Sequence, residues 1–146
     1  MIKFEKVKNC DKDIKLPTRA DVGSAGYDFY IVDDITINPG ETVIAHTYVK
    51  AKMDLDVVLL LYVRSSIGLK RRLSLANGTG VIDSTFYGNP DNDGNIGIAL
   101  YNYGTEPQTL KAGERVAQGV FVKYYTTVDD NTTNTVRTSG FGSSGK

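Results

Sequence analysis

Cysteine and histidine are almost absent from this chain of 146 residues, which has one of each, Cys10 and His46. A single cysteine excludes an intramolecular disulfide and a metal site of clustered thiolates, and it fits a reducing compartment. The lone histidine lies in a strand-like stretch with no marked acidic neighbour, so these residues do not favour a Ser-His nucleophilic pair. An excess of either charge is lacking too. Seventeen Lys and Arg balance seventeen Asp and Glu, which argues against long-range attraction to nucleic acid and requires any anion site to be local. No apolar run approaches the length of a membrane span, and residues 1–10 alternate charged and apolar side chains where a signal peptide needs an apolar core. The expectation is a single cytoplasmic domain without membrane association or direct nucleic-acid binding.

What is present is strand chemistry. Ile35 and Ile37 and the runs 42–53, 57–63, 96–103 and 116–128 are rich in Val, Ile, Thr and Tyr. Asn38-Pro39-Gly40-Glu41 and Lys111-Ala112-Gly113-Glu114 are turn signals between such runs. Only residues 65–72 have the composition of a short helix. The pattern predicts an all-β antiparallel sandwich or barrel with at most one short helix. Val57-Val58-Leu59-Leu60-Leu61 is apolar on both faces of a strand, which calls for cover either from its own domain or from a second copy of the chain. Beyond residue 125 the apolar content collapses into Asp129-Asp130-Asn131-Thr132-Thr133-Asn134-Thr135. A β domain over 1–125 is therefore expected, followed by a polar linker and flexible Gly-rich arm over 126–146. The stretch 126–137, fully extended, spans about 36 Å, enough to visit a neighbouring subunit.

Three segments carry candidate chemistry. Gly140-Phe141-Gly142-Ser143-Ser144-Gly145-Lys146 spells the first part of a phosphate-binding P-loop. A P-loop also needs a Ser or Thr for Mg²⁺ and a following helix, for which the sequence has no residues after Lys146. The expectation is therefore only the local property: glycines that fold tightly over phosphate oxygens, hydroxyl and ammonium donors, and an aromatic and an arginine, Phe141 and Arg137, to meet a base and a terminal phosphate. Arg64-Ser65-Ser66-Ile67-Gly68 follows a strand directly and combines a guanidinium, two hydroxyls and free N–H groups, a phosphate clamp in outline. Gly80-Val81-Ile82-Asp83-Ser84-Thr85-Phe86-Tyr87-Gly88 reads as a β-hairpin or strand edge with one carboxylate beside two aromatics; such a carboxylate can orient and deprotonate a water. Asp91-Asn92-Asp93-Gly94 begins like a calcium loop, but lacks its downstream ligands and reads as a surface turn. Lys70-Arg71-Arg72 reads as a solvated basic face.

Taken in order, these segments resemble the five motifs of the trimeric dUTP diphosphatase (dUTPase) family: Ala25-Gly26-Tyr27-Asp28-Phe29, residues 64–68, residues 77–88, Gly113-Glu114-Arg115-Val116-Ala117-Gln118, and residues 137–145. The resemblance implies a jelly-roll or distorted β-barrel subunit. It also implies a homotrimer whose active sites are assembled from all three chains, with the C-terminal arm closing over dUTP. In its terms Asp83 activates the water that attacks the α-phosphorus, releasing dUMP and pyrophosphate, which limits uracil in DNA and supplies dUMP for dTMP synthesis. Asp28 helps position Mg²⁺ through water. Arg64, Ser65, Ser66, Gly68 and Gln118 contact the phosphate chain or its surroundings. Asn77, Gly80, Val81, Ile82 and Gly97 read the uracil edge, Phe86 packs on the sugar, and Arg137, Phe141, Gly142, Ser143 and Ser144 belong to the arm. The chain departs from the family pattern in having Phe86 where Tyr is usual, one residue fewer between Arg137 and Phe141, and an Asn/Asp-rich insertion over 89–95. A related dCTP deaminase needs a Glu after the sugar-stacking ring; Tyr87 stands there, so deaminase activity is expected to be absent. The residues name no regulatory protein partner.

Overall fold

The computed structural model describes residues 1–130. Among them the chain runs through β1 (Lys3–Lys6), β2 (Tyr27–Tyr30), β3 (Ile35–Ile37), β4 (Thr42–His46), β5 (Val49–Lys52), β6 (Val57–Val63), α1 (Ser65–Leu69), β7 (Leu73–Leu75), β8 (Gly80–Ile82), a 3₁₀ turn (Ser84–Phe86), β9 (Gly97–Asn102), β10 (Gln108–Leu110) and β11 (Arg115–Lys123). The strands form a four-stranded sheet in the order β2-β11-β6-β8, a three-stranded sheet β4-β9-β7, and the ribbons β1-β5 and β3-β10. Pairing is antiparallel throughout. Most partners are far apart in sequence, as the long crossings of a jelly-roll-like fold require.

Alternation along the strands builds the core. Leu59 and Leu61 of β6, Phe29 of β2 and Val116 and Ala117 of β11 are buried in one cluster with Leu73 and Leu75 of β7 and Ile98 and Leu100 of β9. Each large aliphatic or aromatic side chain so buried contributes about 1.5–3 kcal/mol against the unfolded chain. Edge-on contacts of Phe4 with Tyr27 and Phe29, at centroid distances of 5.3 and 5.5 Å, fasten β1 to the four-stranded sheet.

The run 42–53 is not one strand. It turns at Tyr48, whose φ is +58°, so that β4 pairs with β9 while β5 pairs with β1. Buried Thr47 holds this corner: its hydroxyl donates to the Ile96 carbonyl at 2.8 Å and accepts from the Val49 N–H at 3.2 Å. The helix is likewise shorter than 65–72, because Arg71 leaves it to donate to Gln108 at 2.7 Å. The last strand ends at Lys123, and residues 124–130 are exposed.

The segment 57–61 resolves in a mixed way. β6 lies between β11 and β8, so its edges are paired, but its outward face is only partly covered. Val120, Leu60 and Val81 form a cross-strand row there, flanked by exposed Tyr62 and Val122, and Val81 is 55 % exposed.

Candidate active site

β8 positions the first half of the site. It is the edge strand of its sheet, paired to β6 along one side through Leu61↔Gly80, Leu60↔Val81 and Leu59↔Ile82. Gly80 suits that close pairing, since a Cβ there would stand 3.0 Å from the Leu61 Cβ and force it to shift. Of the two forms expected for this segment, hairpin or strand edge, the structure has the second: β7 and β8 are joined by a turn at residues 76–79 yet belong to different sheets. Between those sheets lies a cavity of about 200 Å³. Asn77, Gly80, Val81, Ile82, Phe86 and Gly97 line it, over an apolar floor of Leu61 and Leu75. All six were picked out from the sequence; Thr79 and Ala99, which also face the cavity, were not. Fixed backbone N–H and C=O groups beside an apolar floor can pair the edge of a flat polar ring, and an unmatched ring would leave a buried group unpaired at a cost of about 1–3 kcal/mol.

Asp83 follows Ile82 directly, half-buried in extended conformation with φ −84° and ψ 161°. Its carbonyl accepts the Phe86 N–H at 3.1 Å, closing the 3₁₀ turn that carries the Phe86 ring back into the cavity wall. Asp83 thus lies in the chain between two residues of the cavity lining, Ile82 and Phe86.

The second half is built on the sheet edge around α1. Asp28 of β2 lies beside Gln118 of β11, which is paired on its other side with Tyr62. The Asp28 carboxylate is held by two guanidinium groups: Arg64 Nε is 3.5 Å from Oδ1 and Arg115 Nη1 is 3.4 Å from Oδ2. Arg64 precedes α1 and also donates to the Arg115 carbonyl at 3.4 Å. A depression of about 420 Å³ at this point is lined by Arg64, Ser66, Lys70, Arg71 and Arg115, among others. Two arginines around one carboxylate leave an excess of positive charge and spare N–H donors, the chemistry that receives a phosphate chain. Ser65 is exposed and Ser66 half-buried at the start of the same helix. Gly68 is engaged with the fold: its carbonyl accepts from Tyr103 Oη at 2.6 Å. Arg115, unremarked by sequence reasoning beyond its motif, is the residue this cluster adds.

The two halves are separate depressions on the subunit. The cavity lining contains none of Asp28, Arg64, Ser65, Ser66 or Gln118, and the depression contains none of the residues 77–86. Arg137, Phe141, Gly142, Ser143 and Ser144 lie outside the described residues. Among the described residues no group of three or more His, Cys, Asp or Glu could cage a metal ion. Arg64 and Arg115 already engage both Asp28 oxygens, so a divalent ion could meet that carboxylate only through its water shell.

Behind Phe86 the Asn/Asp-rich stretch folds as a compact turn. Burial by itself would push the Asp93 carboxyl up, but its hydrogen bond to Lys50, the Lys8 N–H and the charges of both lysines hold it below the usual range. The hydrogen bond to Glu5, together with burial and the Glu5 and Asp93 charges, pushes the neighbouring Tyr87 phenol up. Because Asp93 is depressed in the folded chain, its stabilisation is complete above the unfolded value, about 3.9, and is lost as pH falls through the lower folded value. Urea titrations at stepped pH are expected to show stability declining below about pH 4, less steeply in Asp93→Asn; identical slopes in the two proteins would contradict this.

Fold and site together define a small all-β, jelly-roll-like protein with a cavity at the β8 edge and an arginine-lined depression beside α1. The dUTPase family model matches residues 12–145. The deoxyuridine 5′-triphosphate nucleotidohydrolase of Lactococcus lactis is 41 % identical over 133 residues, covering 90 % of this chain and 89 % of the relative. That of Shewanella piezotolerans is 36 % identical over 137 residues, 89 % and 86 % of the two chains. The crystal structure of dUTPase from Streptococcus mutans superposes with a TM-score of 0.80 at 39 % identity, covering 85 % of this chain and 97 % of that one. A dUTPase from phage phi11 of S. aureus, described with a structural Mg(II) ion, shares the fold at TM-score 0.74 and 20 % identity, covering 90 % and 96 %. The chain belongs to the dUTPase family.

Proposed function

We propose that this chain hydrolyses dUTP to dUMP and pyrophosphate. The observation that carries the reading is the cavity on the β8 edge, whose lining includes Ile82, the residue before Asp83, and Phe86. In this mechanism uracil enters the cavity and presents its acceptor, donor, acceptor edge to Asn77 and to the backbone of 80–82. Cytosine would leave donors facing donors. Phe86 packs on the deoxyribose and disfavours a 2′-OH. Asp83 takes a proton from a water aligned with the α-phosphorus. The new P–O bond forms as the bond from the α-phosphorus to its bridging oxygen breaks, and pyrophosphate leaves. Arg64, Ser65, Ser66, Gln118 and the newly added Arg115 bind the phosphate chain, with Gly68 in their supporting turn. Mg²⁺, when bound with the triphosphate, would supply charge neutralisation there, and Asp28 would hold it through water. A β domain over 1–125 would hold these groups, and the arm over 126–146, with Arg137, Phe141, Gly142, Ser143 and Ser144, would close over them.

Because no single depression among the described residues gathers both half-sites, the complete site would form between copies. The outward row Val120, Leu60 and Val81 is an apolar face such packing would bury, and a homotrimer with shared sites is the assembly we propose. Among the described residues no helix is long and apolar enough to cross a membrane, and we place the reaction in the cytoplasm, where it would limit uracil in DNA and supply dUMP for dTMP synthesis.

The test is pyrophosphate release from dUTP, dCTP, dTTP and UTP assayed side by side with Mg²⁺. Turnover of dUTP is expected to exceed that of each other nucleotide by about two orders of magnitude or more in kcat/KM. Comparable hydrolysis of dCTP, or none of dUTP, would refute the assignment.

A further inference from the structure

Sequence reasoning left residues 89–95 without a role. In the structure they form a clamp on the back of Phe86. Asn89 is 4 % exposed, and its side-chain amide is fully used. Its nitrogen donates to the Phe86 carbonyl and to Asn92 Oδ1, both at 2.7 Å, and its oxygen accepts the N–H groups of Asp91 at 3.0 Å and Asn92 at 3.1 Å. With both donors and both acceptors engaged, the amide has one orientation. Gly94 presses on the same backbone: with φ at +88°, a Cβ there would stand 2.9 Å from Tyr87 Cα and 3.0 Å from the Phe86 carbonyl oxygen. Only glycine combines that dihedral with that approach. The turn closes through Gly88 N–H to the Asp93 carbonyl at 3.1 Å and Asp93 N–H to the Asn89 carbonyl at 2.9 Å.

The clamp is anchored at Asp93, which has φ at +60°, a conformation seldom taken by residues other than glycine. Its carboxylate accepts from Lys50 Nζ and from the Lys8 N–H, each at 2.8 Å. Lys50 belongs to β5 and is itself buried, with its ammonium 4.9 Å from the centre of the Tyr87 ring. Tyr87 in turn donates its hydroxyl to Glu5 of β1. A continuous path therefore runs from the Phe86 backbone through Asn89 and Asp93 to the β1-β5 ribbon. Two charges in a partly desolvated place favour one geometry far more narrowly than apolar contacts do.

We propose that Asn89 and Asp93, keyed to the body of the chain by Lys50, are positioning residues that set the depth of the Phe86 ring and so determine discrimination between deoxyribose and ribose. The inference rests on the sugar-facing role of Phe86 argued above. Nothing in the clamp touches substrate; it acts through the ring.

Asn89→Ala cuts the link to Phe86, and Asp93→Asn, nearly isosteric, cuts the charged link to Lys50 should the first variant fold poorly. In each, hydrogen exchange of the amides over 86–95 is expected to quicken. The ratio of kcat/KM for dUTP to that for UTP is expected to fall about tenfold, because a ring displaced by a fraction of an ångström no longer meets the 2′ position squarely. KM for dUTP should change less than the UTP rate rises. Faster exchange with unchanged discrimination would make the turn merely structural and overturn the proposal, as would unchanged exchange. Absence of dUTP turnover by the wild-type chain would instead sink the functional reading on which this one depends.

Discussion

Asp83→Asn is expected to lower dUTP turnover by about two to four orders of magnitude while leaving nucleotide affinity near that of the wild type. The amide is almost the size of the carboxylate and can still orient a water, but it cannot accept that water's proton. Binding should survive because the cavity is lined by the residues before and after Asp83, which the substitution leaves in place. Stopped-flow or pyrophosphate-release kinetics with a non-hydrolysable dUTP analogue for the affinity measurement will separate the two effects. Turnover like that of the wild type would remove Asp83 as the base.

The same variant tests the shared site. Arg64→Ala removes a proposed phosphate-binding group that lines the separate depression, so it should also be nearly inactive alone. If each site takes Asp83 from one copy and Arg64 from another, equimolar mixed assemblies contain sites with both residues intact, about a quarter of the total for random mixing. Activity should therefore return when the two inactive variants are unfolded and refolded together. No recovery, with mixed assemblies demonstrated by mass spectrometry, would place both residues in one chain's site.

Lys50→Met is expected to cost about 3 kcal/mol of folding stability, and to lower Tm by roughly 10 °C at fixed protein concentration. The lysine side chain is 7 % exposed and its Asp93 partner 17 %, so removing the ammonium strands a carboxylate that has little access to water. The loss should reside in the pair and not in the methylene groups, which methionine replaces. A cycle with Asp93→Ala should accordingly show a double variant that loses less than the sum of the singles, since neither charge is then left alone. Strict additivity in chemical denaturation would mean that the two groups do not interact in the way their 2.8 Å separation implies.

Much of the architecture could be read from side-chain types, because β-branched and aromatic runs between turn residues are a local signal. β6, β9 and β11 stand close to where those runs placed them. The break at Tyr48 escaped, since both halves of 42–53 have strand composition and only their different partners separate them. The lining of the β8 cavity was legible through the ordered motifs, since Asn77, Gly80, Val81, Ile82 and Phe86 all fall within one of them. The ion pairs were not. Arg115 and Asp28 are 87 positions apart and Lys50 and Asp93 are 43 apart, and no spacing rule links such pairs.

Composition, strand pattern and the ordered motifs were enough by themselves to determine an all-β chain of the dUTPase family and to single out Asp83. Tertiary structure alone decided that Asp28 is gripped by two arginines, that the β8 cavity and the arginine-lined depression are separate, and that the 89–95 turn braces Phe86. Strand propensity and turn chemistry act over a few residues and are written in order along the chain. Which charges meet depends on sheet order and register, which emerge only when distant strands compete for the same partners.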